Sequence, residues 1–549
     1  MSEQTIQTPA PMGTNTKPVV WGLIILFAAY ILLLFAGLPQ KWTDASLEQH
    51  EQPVAGSAEE AVASEVETPV EDEVKSPSLW AAVPFCVLLL CIAFLPLIPA
   101  TEHFWESNLN RFLVAAGLGL IVLLYYAFVH ASPVALHWPT HKVVDGSLPK
   151  AGAIFVNAII GEYIAFIVLL FSLFTITGGI RISGDLKATP RLNSLILAIG
   201  AILASFIGTT GAAMLLIRLL IDTNKQRKYK VHTIIFFILT VCNCGGCLLP
   251  IGDPPLFLGY LRGVNFLWTL SLWPMWLFVN AILIGLYFLL DACWFYRKEE
   301  PVDLKRDVSN IEPLRVSGLW PNLFCLLGVV LAVMFLDPSK PLGNWYPPMF
   351  LREIVQLTMV FLSLLLGSKA VRAENDFNFH AIIEVAALFF GIFLCMQAPL
   401  QILNEKGGQI TESVHAVGSK IGLNEAQELF WMTGTLSSVL DNAPTYAVFF
   451  ETARAADAAH AKGNPDHAAK IEEDAAVSGV PISLAFLIAI SLGSVMMGAM
   501  TYIGNGPNFM VKSIAEQSGI KMPSFFGYMG YAACILLPIL VVMTLIFLR

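Results

Sequence analysis

Charge is scarce in this chain: Asp, Glu, Lys and Arg make up 13% of 549 residues, while 56% are hydrophobic and the mean hydropathy is +0.68. A soluble globular domain carries about 25% charged residues, so a water-soluble reading is excluded. Basic residues are the scarcer sign, with 32 Lys and Arg against 41 Asp and Glu, and much of the acidity sits between Glu48 and Glu73. That balance excludes nucleic acid as a partner. The nine cysteines lie mainly in or beside apolar segments, where a thiol serves as a small apolar side chain. Cys242, Cys244 and Cys247 resemble a metal cluster, but they fall in a predicted span beside Gly245-Gly246 with no histidine nearby. His137 and His141 straddle Pro139 in a predicted outside loop and so share no helical metal face. Gly178-Gly179 and Gly245-Gly246 lack the strand–turn–helix context of a phosphate loop and read as packing or kink sites. There is no nucleotide-binding domain, which disfavours a primary pump, and no hydrolytic or covalent catalytic constellation. Neither an enzyme nor a bound cofactor is expected.

What is present is a series of apolar runs of about 20 residues, each long enough to cross a bilayer as a helix. The chain reads as an all-α polytopic membrane protein. Val19 to Leu38 forms the first span, retained because no small-residue cleavage site follows it. Residues 39–78, rich in Glu, Ala, Ser and Pro, have the composition of a disordered loop. Further spans are predicted near 79–99, 110–130, 153–179, 232–263, 266–292, 316–336, 349–367, 380–403, 479–511 and 524–548, about eleven in all. Trp268, Trp273 and Trp320 near span ends read as interfacial anchors.

Two further apolar segments, 192–221 and 424–450, are interrupted by Gly208-Thr209-Thr210-Gly211 and by Asp441-Asn442-Ala-Pro444. Arg181, Lys187 and Arg191 precede the first, and Lys225, Arg227, Lys228 and Lys230 follow it. Because basic residues concentrate on the cytoplasmic side, both of its ends face the cytoplasm and it is a re-entrant hairpin; the alternative is thirteen full spans. The same logic places Arg297, Lys298, Lys305, Arg306, Arg315, Lys369 and Arg372 inside, and the loops 39–78 and 451–478 outside. The N-terminus is then cytoplasmic and the C-terminus outside, with the second hairpin entering from outside. This divides the chain into an N-terminal tail with two helices (1–108), a first repeat (110–292), a connecting segment (293–348) and a second repeat of inverted orientation (349–548).

Two later spans are also broken, at Pro250-Ile-Gly252-Asp253-Pro254-Pro255 and at Ile503-Gly504-Asn505-Gly506-Pro507-Asn508. Aligning Ser205 with Ser438 puts Thr209 opposite Asn442, and aligning the later turns puts Gly252-Asp253 opposite Gly504-Asn505. Unwound backbone at membrane depth is tolerated only where it is buried in protein or lines a cavity. Matching breaks in two halves therefore point to a substrate site.

Asn243-Cys-Gly245-Gly246-Cys-Leu-Leu-Pro250-Ile-Gly252-Asp253-Pro254-Pro255, together with Ser438-Val-Leu-Asp441-Asn442-Ala-Pro444, resembles the ion-transporter superfamily of NhaD-type sodium/proton antiporters, arsenite permeases and citrate–metal permeases. The likeness covers most of residues 150–548 and is nearest the branch described as citrate transporters or sodium/proton antiporters. It implies two inverted repeats, a site where two hairpin tips meet two broken helices, a homodimer formed through a scaffold, and a place in a bacterial inner membrane. The first tip departs from many relatives in offering hydroxyls and backbone where they carry Asn or Asp.

Four carboxylates lie in or beside apolar segments: Glu162, Asp253, Glu384 and Asp441. Each is a functional candidate, because an ionised group in hydrocarbon must face protein or a water-filled cavity. Asp441 stands out, since Asn442, Thr445, Ser438 and freed carbonyls around it would suit Na⁺. Asp253, Asn243, Gly252, Thr209, Thr210, Ser205, Gly504 and Asn505 complete the expected ion- or substrate-binding set. Glu162 and Glu384, early in two spans, read either as proton-linked groups or as structural hydrogen-bonders. No lysine or arginine lies in either tip or break to clamp a carboxylate, and burial favours protonation of an aspartate in competition with Na⁺. Exchange of Na⁺ and H⁺ is therefore the expected activity; a citrate-class symporter coupled to H⁺, Na⁺ or a divalent metal is the alternative. The intact breaks argue against a membrane-embedded enzyme or receptor on a decayed fold.

Overall fold

A computed structural model of the chain describes residues 16–47, 75–137, 142–300, 302, 312–462 and 464–549. The described chain is mostly helix, as the bilayer demands, because a helix satisfies every backbone N–H and C=O within one segment. Two small antiparallel sheets join loops: β1 (Val134–Leu136) with β2 (Lys142–Val144), and β3 (Arg181–Asp185) with β4 (Glu312–Ser317). Large apolar side chains such as Leu32, Phe35, Phe128, Leu289, Leu323 and Leu366 point outward and form the surface that meets lipid. This is an integral membrane protein.

Six helices among the described residues are long and apolar enough to cross: Lys17–Phe35, Asn108–Phe128, Ser147–Thr177, Pro190–Ile207, Trp268–Lys298 and Phe525–Phe547. Counting Leu79–Phe94 with Pro99–Trp105, and His380–Cys395 with Gln397–Gln409, as bent spans makes eight. The eleven expected crossings are thus not all single long helices. The predicted spans 232–263 and 479–511 are each broken in two, and those at 316–336 and 349–367 are the helices Leu319–Phe335 (17 residues) and Leu351–Leu366 (16 residues). Glycine and proline interrupt the hydrogen-bond ladder where hydropathy alone runs on.

Two expectations are corrected. The start of the supposed disordered loop is helical over Leu38–Leu47, anchored by Thr43 Oγ1 donating to the carbonyls of Pro39 (3.1 Å) and Pro347 (3.3 Å). Residues 48–74, with the acidic stretch, and His141 lie outside the described residues. Trp268 is 5% exposed, no interfacial anchor, because Thr269 Oγ1 donates to Leu248 O (3.0 Å) and draws its turn against a helix break. Trp320, at 79%, and Trp273, at 57%, are exposed as expected.

The first hairpin runs Pro190–Ile207, reverses at Gly208, whose φ of +80° suits only glycine, and returns as Thr209–Thr223. Its open end is closed by reciprocal amide bonds between Asn193 and Asn224 (2.9 and 3.0 Å). Although Pro190–Ile207 is long enough to cross, the segment therefore begins and ends at one end of the molecule. Arg181, which the sequence assigns to the cytoplasm, donates to the Glu374 carbonyl together with Arg218 of the returning limb, and β3 pairs with β4, which carries Arg315. The second hairpin starts with a capping box, Gln427 N to Asn424 Oδ1 (2.9 Å) and Asn424 N to Gln427 Oε1 (3.3 Å). It runs Glu425–Val439, turns through Leu440 and Asp441, and returns as Asn442–Ala461.

This geometry sets an expected labelling pattern. Ala188 and Thr223 are fully buried, so reporter cysteines belong at exposed Lys187, Lys225 and Asp466, with the exposed Cys86, Cys293 and Cys534 replaced. Lys187→Cys and Lys225→Cys should react with an impermeant maleimide from the cytoplasm, and Asp466→Cys from outside. Labelling of the first two from opposite sides would make 192–221 a full span.

Candidate functional site

Both broken helices stop, pass through a short tightened turn and an extended residue, and resume. The first runs Val231–Thr240, tightens into a turn at Cys244–Cys247, and restarts as Pro254–Leu261 with Asp253 as its cap. The second runs Leu484–Met497, tightens at Gly498–Met500, and restarts as Gly506–Gln517 with Asn505 as its cap. Pro254, Pro255 and Pro507 occupy first-turn positions, where the missing N–H costs nothing.

These breaks and the two hairpin tips meet at Asp253, which is 1% exposed. Its Oδ1 accepts from Thr209 Oγ1 (2.8 Å) at the first tip and from Asn505 Nδ2 (3.2 Å) at the second break. Its Oδ2 accepts from Asn442 Nδ2 (2.6 Å) at the second tip. One side chain from each of the other three interruptions thus donates to the carboxylate of the first break. Asn505 Nδ2 also reaches Cys242 O (3.0 Å) and Asn243 Oδ1 (3.2 Å). Asn243 Nδ2 donates to Asn508 Oδ1 (2.7 Å), and Asn508 Nδ2 holds the carbonyls of Gly498 and Thr501 (both 2.9 Å), pinning the second break to the first.

The two halves pack alike around this centre. A Cβ on Gly252 would lie 2.3 Å from Gly246 O and 3.0 Å from Ser205 Cα; one on Gly504 would lie 2.6 Å from Gly498 O and 2.9 Å from Ser437 O. Gly246 in turn abuts Thr209, as Gly498 abuts Asn442. Gly246, Gly252 and Asp253 therefore match Gly498, Gly504 and Asn505 at one constant sequence offset.

Asn442 has a second property. With Nδ2 committed to Asp253, its Oδ1 is buried and has no donor among the described residues. A buried acceptor without a partner costs about 1–3 kcal/mol. All three donors to Asp253 are neutral, so this centre couples a carboxylate to a free amide oxygen with no basic residue between them. Helices beginning at Thr209, Asn442, Pro254 and Gly506 point their positive ends inward, which offsets the cost of burying negative charge.

The remaining candidates fall into place around this core. Asp441, the foremost candidate by sequence, is half-buried, caps the helix Asn442–Ala461, takes Thr445 Oγ1 on its carbonyl (3.0 Å), and immediately precedes Asn442, the donor to Asp253. Thr210, also half-buried, follows Thr209 in the first turn. Ser205 Oγ donates to Gly245 O (2.6 Å) and accepts from Leu248 N (3.1 Å), tying the first hairpin to the first break. The matching tie in the second half is Ser437 Oγ to Ser494 O (2.6 Å), whereas Ser438 Oγ turns back to Thr435 O (2.7 Å). Glu162 pairs with Arg262 (3.3 Å), which also holds Glu451 (3.1 Å), and Glu384 pairs with Arg111 (2.9 Å); none of these ion pairs includes Asp253. Cys242, Cys244 and Cys247 are buried in the apolar core, and Gly178 packs directly under the Phe377 ring. Asn508, Ser437 and Arg262 were missed by sequence reasoning. Asn508 stood inside the quoted motif, and that was its only signal.

Two hairpin tips closing on two broken helices around a buried, unclamped carboxylate define a secondary transporter. A protein-family model matches residues 74–548, beginning well before the stretch in which the resemblance was first legible. The chain belongs to that family, which is described as "Putative citrate transport". No curated protein matches it.

Proposed function

We propose that this transporter exchanges Na⁺ for H⁺ by alternating access, with Asp253 as the group that both ions seek and Asn442 Oδ1 as a neighbouring ligand. The observation that carries this reading is the buried Asn442 Oδ1, without a donor among the described residues, beside a carboxylate whose three donors there are all neutral. A small hard cation supplies what that oxygen lacks and favours oxygen donors. Asp441, its charge close by, adds attraction for a cation and repulsion for an anion. On this reading Glu162 and Glu384 serve structure through their arginines, the inverted repeats rock about the Asp253 centre, and the protein works in a bacterial inner membrane.

The second reading, a citrate-class symporter, is favoured by the family description. It requires the same cation site for coupling and a way to neutralise two aspartates before a carboxylate approaches. Reconstituted vesicles separate the two: the proposal expects proton movement driven by an imposed Na⁺ gradient without citrate. Labelled citrate uptake with no citrate-independent Na⁺/H⁺ exchange would move the assignment to the symporter.

A further inference from the structure

The open end of the second hairpin carries a side-chain cluster that the transport centre does not use. Asp457 and His460 lie about one turn apart near the end of Asn442–Ala461, and His467 returns to them from the first turn of Pro465–Ser478. One ligand atom from each of the three lies within 4.8 Å of the other two. His467 Nε2 is 3.1 Å from Asp457 Oδ1. Two ligands of a tetrahedral zinc, each about 2.0–2.1 Å from the ion, are themselves about 3.3 Å apart, so this pair already stands at ligand spacing. Asp457 is fully buried and fixed by Ser483 N donating to its Oδ2 (2.7 Å), while the His460 and His467 side chains are 31% and 24% exposed. A cavity of about 170 Å³ bordered by Glu412, His415, Glu425 and Glu428 opens beside His460 and gives an ion a route in. Glu425 Oε2, from the hairpin's first residue, is 3.7 Å from His460 Nδ1.

We propose that Asp457, His460 and His467 bind a transition-metal cation of the zinc class, with Glu425 as the supporting carboxylate. Two imidazoles and a carboxylate suit zinc, whereas Mg²⁺ and Ca²⁺ take oxygen shells. An ion here clasps both ends of the second hairpin, the helix Pro465–Ser478 and, through Ser483, the start of the broken helix that carries Asn505. Since the same hairpin limb begins at Asn442, an occupied site restrains the tip against the second break and slows transport. The binding itself is independent of which substrate the transporter carries.

The test uses the metal-stripped full chain without an added histidine tag, titrated with Zn²⁺ and then with Co²⁺ as a spectroscopic probe. The expected result is about one ion per chain, with the visible absorption of tetrahedral Co²⁺. The double variant His460→Gln/His467→Gln, whose side chains are partly exposed and need not disturb the fold, should lose both signals while keeping its metal-free transport rate. Glu425→Gln should weaken binding by about 10- to 100-fold, the usual effect of removing an outer-shell partner. Equal Zn²⁺ binding by the wild type and the double variant, or none by the wild type, would overturn the proposal and leave Asp457–His467 as a structural hydrogen bond.

Discussion

Asp253→Asn is expected to reduce Na⁺-driven proton flux to that of protein-free vesicles, in a chain that still folds and inserts. The amide is nearly isosteric, and its oxygen can still accept from Thr209 and Asn505. Its NH₂, however, would face the Asn442 amide, two donors head to head. The Asn442 amide relieves the conflict by turning over, which directs its oxygen at the introduced NH₂ and removes the free acceptor. A single substitution thus removes the charge, the titrating group and the neighbouring ligand together. Asp441→Asn, at a half-buried cap with no such network, should lower Na⁺ affinity and leave residual exchange. Equal, undiminished exchange in Asp253→Asn would remove this residue from the mechanism.

The second large effect is steric. Gly252→Ala sets a methyl 2.3 Å from the Gly246 carbonyl oxygen and 3.0 Å from Ser205 Cα, and Gly504→Ala sets one 2.6 Å from Gly498 O. These are backbone atoms that no rotamer change can move aside. Each variant should be destabilised by about 1–3 kcal/mol, the range for overpacking a tight core, and should lose transport because hairpin and break separate. Thermal unfolding and vesicle flux measure the two consequences. Gly285→Ala and Gly530→Ala provide the comparison, since nothing lies within 4 Å of a Cβ at either position. If all four variants unfold and transport alike, close packing at the breaks is not what forms the site.

The interruptions were legible in the sequence because glycine, proline and Asp/Asn are costly within an apolar run and therefore conspicuous. The pairing of Thr209 with Asn442 and of Asp253 with Asn505 followed from aligning them. Which aspartate stands at the centre did not, because that depends on donors 44, 189 and 252 residues away. Glu162 and Glu384 stay open in sequence between a proton-linked and a structural role for the same reason: Arg262 and Arg111 are 100 and 273 residues distant from them. Aligning Ser205 with Ser438 passes over Ser437, because the extended residues Leu440 and Asp441 between the two helices shift the register there by one. Trp268 misled because an aromatic at a span end looks the same in sequence whether it faces lipid or a neighbouring turn.

The central claim, that Na⁺ and H⁺ compete for one carboxylate held among two tips and two breaks, is tested most directly by adding Na⁺ to the purified protein in weakly buffered solution and recording proton release. The account predicts release from the wild type that saturates with Na⁺, is unaffected by citrate, and is absent in Asp253→Asn. Na⁺-independent pH in the wild type, or the same release from Asp253→Asn, would contradict it.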